Sequence, residues 1–313
     1  MKPFYPFFLL IFTVSCRTIN VKTVAKLPAK LLESSGLIVE SPNRFWSIND
    51  GGNEPNIYQF DSTGKLLKTV KIEAANNVDW EEMALDTEGS LYIGDFGNNG
   101  QNRRNLLIYK ILNFKNKYQS NVIKPDSVIE FSYEDQLDFP PKDAQKRFDA
   151  EAMIVEKDVI FILTKDFYSK PYMGITGIYQ IPNRAGKHVA KLVKILPTNR
   201  GSKFKGAITA AAQNGDGTVV LMSYLRLFIF SNFNGKHFWE GEMQTLKFSI
   251  TNFAQRESIA FDPTNNCRLF ITSEKAKIIG GGKLSVTNFC KNKILRKKGQ
   301  FPNEGAYFCP LFE

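Results

Sequence analysis

Histidine is almost missing from this chain: there are two among 313 residues, His188 and His237. Both fall at hairpins between outer strands of the repeat described below, so neither a Ser-His-Asp triad nor a histidine-ligated metal is expected. Cysteine is scarce as well, with four residues and no Cys-x-x-Cys pair, which argues against a thiolate metal site. No stretch keeps a helical period, and no apolar run is long enough to span a bilayer as a helix. The formal net charge is +10, yet the basic residues are scattered, apart from one cluster at residues 291–298. No nucleic-acid-binding motif accompanies them, so no nucleic-acid partner is expected. A solvated outer hairpin, or attraction to anionic membrane lipid, accounts for such charge.

What is present is a short phrase that returns five times. It reads Glu33-Ser34-Ser35-Gly36-Leu37, Asp79-Trp80-Glu81-Glu82-Met83, Asp149-Ala150-Glu151-Ala152-Met153, Ala207-Ile208-Thr209-Ala210-Ala211 and Gln255-Arg256-Glu257-Ser258-Ile259. Aligned on Ser35, Glu81, Glu151, Thr209 and Glu257, the steps are 46, 70, 58 and 48 residues. Each phrase leads into short runs of β-branched and aromatic residues bounded by Gly, Asn, Asp or Pro. Hairpin tips are signalled by Asp61-Ser62-Thr63-Gly64, Asp86-Thr87-Glu88-Gly89 and Asn214-Gly215-Asp216-Gly217. A period of roughly 40–50 residues with several short strands in each is the mark of a β-propeller. The expected fold is all-β: four-stranded antiparallel blades around a central channel. Five blades are favoured. Six is the alternative, because Asn303-Glu304-Gly305-Ala306 resembles another copy. The wide second step holds an insertion at 133–146 with Pro140 and Pro141, read as a loop.

The N-terminus suggests export. Residues 7–12 are apolar, and Thr13-Val14-Ser15-Cys16 follows. A short apolar run ending in small residues is a secretory signal, and the Cys after them resembles a bacterial lipobox. The expected organisation is a signal peptide at 1–15, a lipidated tether with a ring-closing strand at 16–30, and one propeller domain at 31–313. Cys16 would carry the lipid, which makes the chain a membrane-anchored lipoprotein of the bacterial cell envelope. Its partners would be the lipid anchor and an unidentified ligand or envelope protein, with the chain itself a monomer. Export permits disulfides. Cys267, Cys290 and Cys309 allow one pair and one free thiol, or three buried thiols, and a Cys290–Cys309 bridge would pin the C-terminus to the last blade.

Propeller topology brings the start of each innermost strand and the end of the second strand to one rim of the channel. Strand-one starts supply Asp79, Glu81, Asp149, Glu151 and Glu257, the candidate metal ligands. Strand-two ends supply Asp50, Asn53, Asp95, Asn98, Asn99, Lys165 and Glu274, the candidate ligand-binding residues. Carboxylates this close raise one another's pKa unless a cation or donor sits among them. A hard cation such as Ca2+, ion pairs with Lys165, Arg103 or Arg104, or backbone N–H groups of neighbouring blades would each serve. Trp46, Trp80, Phe96 and Tyr224 lie near the rim, either to stack on a ligand or to pack between blades. The Gly-rich loops Asn49-Asp50-Gly51-Gly52-Asn53 and Asp95-Phe96-Gly97-Asn98-Asn99 precede no helix, so they are not phosphate cradles. They are read as sites of left-handed backbone.

Taken together, Ser34-Ser35-Gly36-Leu37, Trp46 with Asn49-Asp50, Asp79-Trp80-Glu81, Gly94-Asp95-Phe96-Gly97-Asn98-Asn99, Asp149-Ala150-Glu151 and Glu257-Ser258-Ile259-Ala260 make residues 31–290 resemble the SdiA-regulated and phytase-like β-propeller group. The resemblance implies that the phrases line the channel, and it brings in calcium binding and phosphate-ester hydrolysis as expectations. The fourth phrase, Ala207-Ile208-Thr209, lacks both acids and so departs from a full calcium ring. Two functions follow. The favoured one is a tethered binding module with an acidic, Ca2+-accepting rim, and the other is a metal-dependent hydrolase of phosphate or carboxylic esters. Whether a reaction is catalysed is left open.

Overall fold

The computed structural model describes residues 17–234, 237–250, 253–274 and 282–290. The signal segment, Cys16, the basic cluster at 291–298, the phrase at 303–306 and Cys309 lie outside these residues. The chain opens with two short strands, β1 (Arg17–Ile19) and β2 (Lys22–Lys26). A first antiparallel unit follows, formed by β3 (Ser34–Ser41), β4 (Arg44–Asn49), β5 (Asn56–Asp61) and β6 (Leu66–Ile72). The second contains β7 (Trp80–Leu85), β8 (Leu91–Asp95), β9 (Leu106–Ile111) and, after the two-residue β10 (Val122–Ile123), β11 (Ser127–Tyr133). The third is β12 (Ala150–Val155), β13 (Val159–Thr164), β14 (Ile175–Pro182) and β15 (Gly186–Pro197). The fourth is β16 (Ile208–Gln213), β17 (Val219–Ser223), β18 (Arg226–Ser231) and β19 (Glu242–Phe248). The last has β20 (Arg256–Asp262), β21 (Asn265–Ser273) and β22 (Lys283–Asn288), and β2 joins β22 as its antiparallel fourth strand. Residues 17–19, expected as part of a tether, form β1 and pair in parallel with β19.

The sequence explains which strands lie inside. β13 (Val-Ile-Phe-Ile-Leu-Thr) and β17 (Val-Val-Leu-Met-Ser) are near-continuous apolar runs, buried along almost their whole length. Outer strands such as β6 and β15 carry lysines at exposed positions, as half-solvated strands do. Innermost strands β3, β7, β12, β16 and β20 each pack against the next, and β20 packs against β3. Apolar side chains gather in five clusters, each shared by two neighbouring units. The cluster of Leu31, Phe45, Phe60 and Phe270 joins the last unit to the first. The fold is a β-propeller ring. Its outer edges are covered in places: β10 pairs in parallel with β6, and β11 pairs in parallel with β15, joining two units into one eight-stranded sheet. Pairing satisfies edge N–H and C=O groups that would otherwise recruit another chain.

Trp46, Trp80 and Phe96 lie fully buried in the clusters between units and not at the rim surface. The three hairpin tips form as the sequence indicates: Asp61, Asp86 and Asn214 each accept two backbone N–H groups, and Gly64, Gly89 and Gly217 take left-handed backbone. Within the 133–146 insertion, residues 143–145 form one 3-10 turn. Cys267 is bonded to Cys290 with Cα atoms 5.2 Å apart, which rules out the Cys290–Cys309 bridge. The bond ties the start of β21 to the chain two residues past β22.

Candidate functional site

The repeated phrase has a mechanical role. At the start of β7, β12, β16 and β20 the ladder skips one residue, and the skipped residues are Glu81, Glu151, Thr209 and Glu257. In β3 the skip falls on Gly36, whose φ is +63°. Such bulges re-aim a side chain that regular pleating would send into a sheet face. Four of the five aligned centres, Ser35, Glu81, Glu151 and Glu257, line a cavity of about 250 Å3. Asp50 and Glu274, from strand-two ends, complete its acidic side. Lys165, Phe167, Tyr168, Tyr224, Asn99 and Gln255 complete the lining.

Not every predicted site residue faces this space. Asp95 is scaffold: its Oδ1 accepts the Asp79 N–H at 3.0 Å and the Arg103 guanidinium at 2.9 Å. Asn98 is scaffold too. Its N–H donates to Asp149 Oδ1 at 2.7 Å, its Nδ2 to Phe148 O at 3.3 Å, and its Oδ1 accepts the Arg103 N–H. These bonds staple the second unit to the third. Asn53 braces the first loop through Glu33 and the Asp50 carbonyl. Asn99 is exposed and accepts the Tyr168 hydroxyl at 2.6 Å. Where the phrase holds a hydroxyl, it also staples: Ser35 Oγ donates to Glu81 O at 2.6 Å, and Thr209 Oγ1 to Arg256 O at 2.7 Å, each on the next inner strand.

The remaining acids fall into two groups. Asp50, Asp79 and Glu81 each place a carboxylate oxygen within 4.8 Å of the others. Burial, then the charges of Asp50 and Asp149, pushes Asp79 up to about 7. Burial, then Glu151 and Asp50, pushes Glu81 well above the ordinary glutamate value. The glycines of the two loops are needed here for room: a Cβ on Gly97 would collide with the carboxylates of Glu81 and Asp79, and one on Gly51 with Asp79. The left-handed reading therefore holds in the first loop and not at Gly97 of the second. Gly52 takes positive φ, whereas Gly51 and Gly97 do not and serve close approach.

The second group surrounds Lys165. Its ammonium lies 2.9 Å from Glu151 Oε1, with both side chains buried. Burial alone would lower the ammonium's pKa, but Glu151, Tyr224 and Glu257 outweigh it and hold the group charged. Asp149 sits nearby, pushed to about 6 by burial against the pull of Lys165, and its Oδ2 has no hydrogen-bond partner. Burial raises Glu257 to about 7, and its Oε2 also has no partner. Burial and then Glu257 raise Glu274 to about 8, while Gln255 donates to Glu274 Oε2 at 3.3 Å. Buried polar atoms without partners are uncommon, and these two lie beside the charged Lys165.

Sequence reasoning missed Glu82. It is 1% exposed, and its two oxygens accept the N–H groups of Met83 and, from β16, Ala211. The signal was a Glu-Glu pair opening an otherwise apolar strand. Also missed was an aromatic shelf at the mouth, running from Tyr168 through Phe167 to Phe204, which meets Tyr224 and Phe253, with ring centroids 5.4–6.2 Å apart. Tyr168 and Phe167 follow Lys165-Asp166 directly and were legible as the next residues of that loop. Phe204 comes from a one-turn helix, Lys203–Gly206, and Phe253 from a loop, neither part of the repeat pattern. His188 and His237 do not line the cavity.

No protein-family model matches the chain, and no curated protein matches it. Among solved structures it is similar to the major allergen Mala s 1 of Malassezia sympodialis, at 12% identity over 86% of this chain and 95% of that one, with a TM-score of 0.55. The likeness is one of fold. Weaker similarity extends to regucalcin, a calcium-binding protein of Agrobacterium tumefaciens, at 12% identity over 87% of this chain and 94% of that one (TM-score 0.47). A gluconolactonase of Xanthomonas campestris aligns at 11% identity over 87% of each chain (TM-score 0.44).

Chemically, the mouth combines clustered oxygen ligands, carboxyls poised near neutrality, one charged lysine and open aromatic faces. The donor set suits a hard cation: carboxylate oxygens without sulfur or imidazole. The nearby cations are already engaged, Arg103 with Asp95 and Lys165 with Glu151.

Proposed function

We propose that the protein is a ligand-binding propeller whose channel mouth takes a divalent, oxygen-preferring cation such as Ca2+ on Asp50, Asp79 and Glu81. The observation that carries this reading is the convergence of three carboxylates within 4.8 Å beside lysine and arginine side chains committed elsewhere. Three carboxylates supply fewer than the six to eight oxygens that Ca2+ takes, which leaves positions for water or a bound ligand. The test is thermal unfolding of the folded chain with Ca2+ against EDTA. A ligand that binds only the folded state raises the melting temperature by mass action. A Ca2+-dependent rise that disappears in D79N and E81Q supports the reading, and equal melting temperatures in Ca2+ and EDTA overturn it.

A second reading is a metal-dependent hydrolase of phosphate or carboxylic esters, in keeping with the phytase-like resemblance. It is favoured by Glu257, a carboxyl near 7 in the same cavity, since a general base works best with a pKa close to the working pH. In this reading the cation would polarise a substrate oxygen. Ester turnover that needs Ca2+ and is lost in E257Q distinguishes it from a binding module. The proposal also takes the chain to be anchored at the cell envelope through Cys16. No described helix is long and apolar enough to cross a membrane. Release of C16A from the membrane fraction, with the wild type retained, is the outcome expected of a lipid anchor.

A further inference from the structure

We propose that the same mouth also binds a small organic cation, its ammonium head between Glu257 and Glu274 and its flat apolar body on Phe204 and Tyr224. This deepens the cation-binding reading above but rests on different carboxylates.

The first observation is a buried carboxyl oxygen without a partner. Glu257 is 7% exposed, lines the cavity, and has an Oε2 that makes no hydrogen bond. Glu274 lines the same wall, and its carboxylate has a single long bond from a neutral amide, Gln255. Among the lining residues Lys165 is the one cation, and it is paired with Glu151. An incoming anion would meet a cluster of acids, whereas a cation with N–H donors would satisfy the Glu257 oxygen that has no partner.

The second observation is the chain's own ammonium. Lys165 Nζ lies 2.9 Å from a carboxylate and 5.6 and 5.8 Å from the ring centres of Tyr224 and Phe167. Lys203 Nζ stands 4.9 Å from the Phe167 centre. The mouth already stabilises alkylammonium groups by carboxylate pairing and by the negative faces of aromatic rings. Glu257 feels the Lys165 charge at longer range, but among the described residues neither it nor Glu274 forms an ion pair of its own, since Lys165 pairs with Glu151.

The third observation is the shelf itself. Phe204 is 46% exposed although it contacts Tyr224 and Phe253, unlike Trp46, Trp80 and Phe96, which are sealed between units. An aromatic half in water against Tyr224, which lines the cavity with Glu257, is a surface for a ligand that is apolar at one end and charged at the other. A volume of about 250 Å3 lies below the range of pockets that hold drug-sized molecules, so the ligand is small.

Benzylammonium is the probe, with benzyl alcohol as its neutral counterpart, titrated calorimetrically into the folded chain with and without Ca2+. Saturable benzylammonium binding is expected at least tenfold tighter than binding of benzyl alcohol. It should weaken at least tenfold in E257Q and severalfold in F204A, whose side chain is exposed enough that folding is not at stake. Equal affinity for the alcohol, an E257Q variant that binds as well as wild type, or no saturable binding of benzylammonium overturns the proposal. If Ca2+ still raises the melting temperature in a D79N-sensitive way while benzylammonium fails, only this inference falls. If benzylammonium binds with E257Q sensitivity and Ca2+ has no effect, this inference stands and the metal reading falls.

Discussion

Asp79, Glu257 and Glu274 are held far from the ordinary state of carboxyls. Burial first, and neighbouring acids second for Asp79 and Glu274, lift them from 3.8 (Asp) and 4.5 (Glu) to about 7, 7 and 8. A carboxyl whose folded pKa is raised keeps its proton in the native state at a pH where the unfolded chain has lost it. Stability therefore falls as pH rises between the unfolded and folded values. In EDTA the melting temperature should drop from pH 5 to pH 8, and Ca2+ at pH 8 should restore it. A melting temperature that instead climbs over this range would show that the acids are not buried together. At Gly97 an added methyl collides with Glu81 and Asp79. Gly97→Ala should cost about 1–3 kcal/mol, as overpacking does, and should remove the Ca2+-dependent shift, both readable by chemical denaturation. Most of the acids at the mouth were legible in the sequence, because acids that recur at one phase of a propeller repeat are carried by the ring to the same rim. Their division of labour was not. Which carboxylate accepts a backbone N–H, as Asp95 and Asp149 do, depends on loop geometry that spacing does not encode.

The decisive element is the bulge at the head of β7, β12, β16 and β20. It turns the central residue of the phrase out of the ladder, so that Glu81, Glu151 and Glu257 reach the cavity while Thr209 reaches the Arg256 carbonyl. The apparent loss of acids in the fourth phrase is thus a change from ligand to staple. Thr209→Val removes that buried hydrogen bond, and a cost of about 1 kcal/mol is expected, with the Ca2+ response intact. A variant that folds with wild-type stability would argue against stapling. The strand pattern was readable because β-branched and aromatic runs are cut by Asp/Asn-x-x-Gly turns. The parallel contacts of β1, β10 and β11 were not, since parallel pairing of outer edges leaves no periodic trace in the sequence.

For the whole molecule, ring closure is the main question. β2 completes the last unit by pairing with β22, and Leu31, Phe45 and Phe270 seal the seam. The Cys267–Cys290 bond ties β21 to the segment two residues after β22 in that same unit. Loss of the disulfide in C267A should destabilise by about 2–4 kcal/mol, seen as a shift in the denaturant midpoint, while the fold and the Ca2+ response persist. The closing strand was visible as a β-prone segment ahead of the first phrase. The disulfide partner was not, because three cysteines leave the pairing to three-dimensional proximity. Whether the channel mouth is a cation site is answered by anomalous diffraction from crystals soaked in a lanthanide substitute for Ca2+. A single strong peak within bonding distance of Asp50, Asp79 and Glu81, absent in D79N, is the predicted result. Peaks confined to surface carboxylates, with the three acids holding only water, would contradict it.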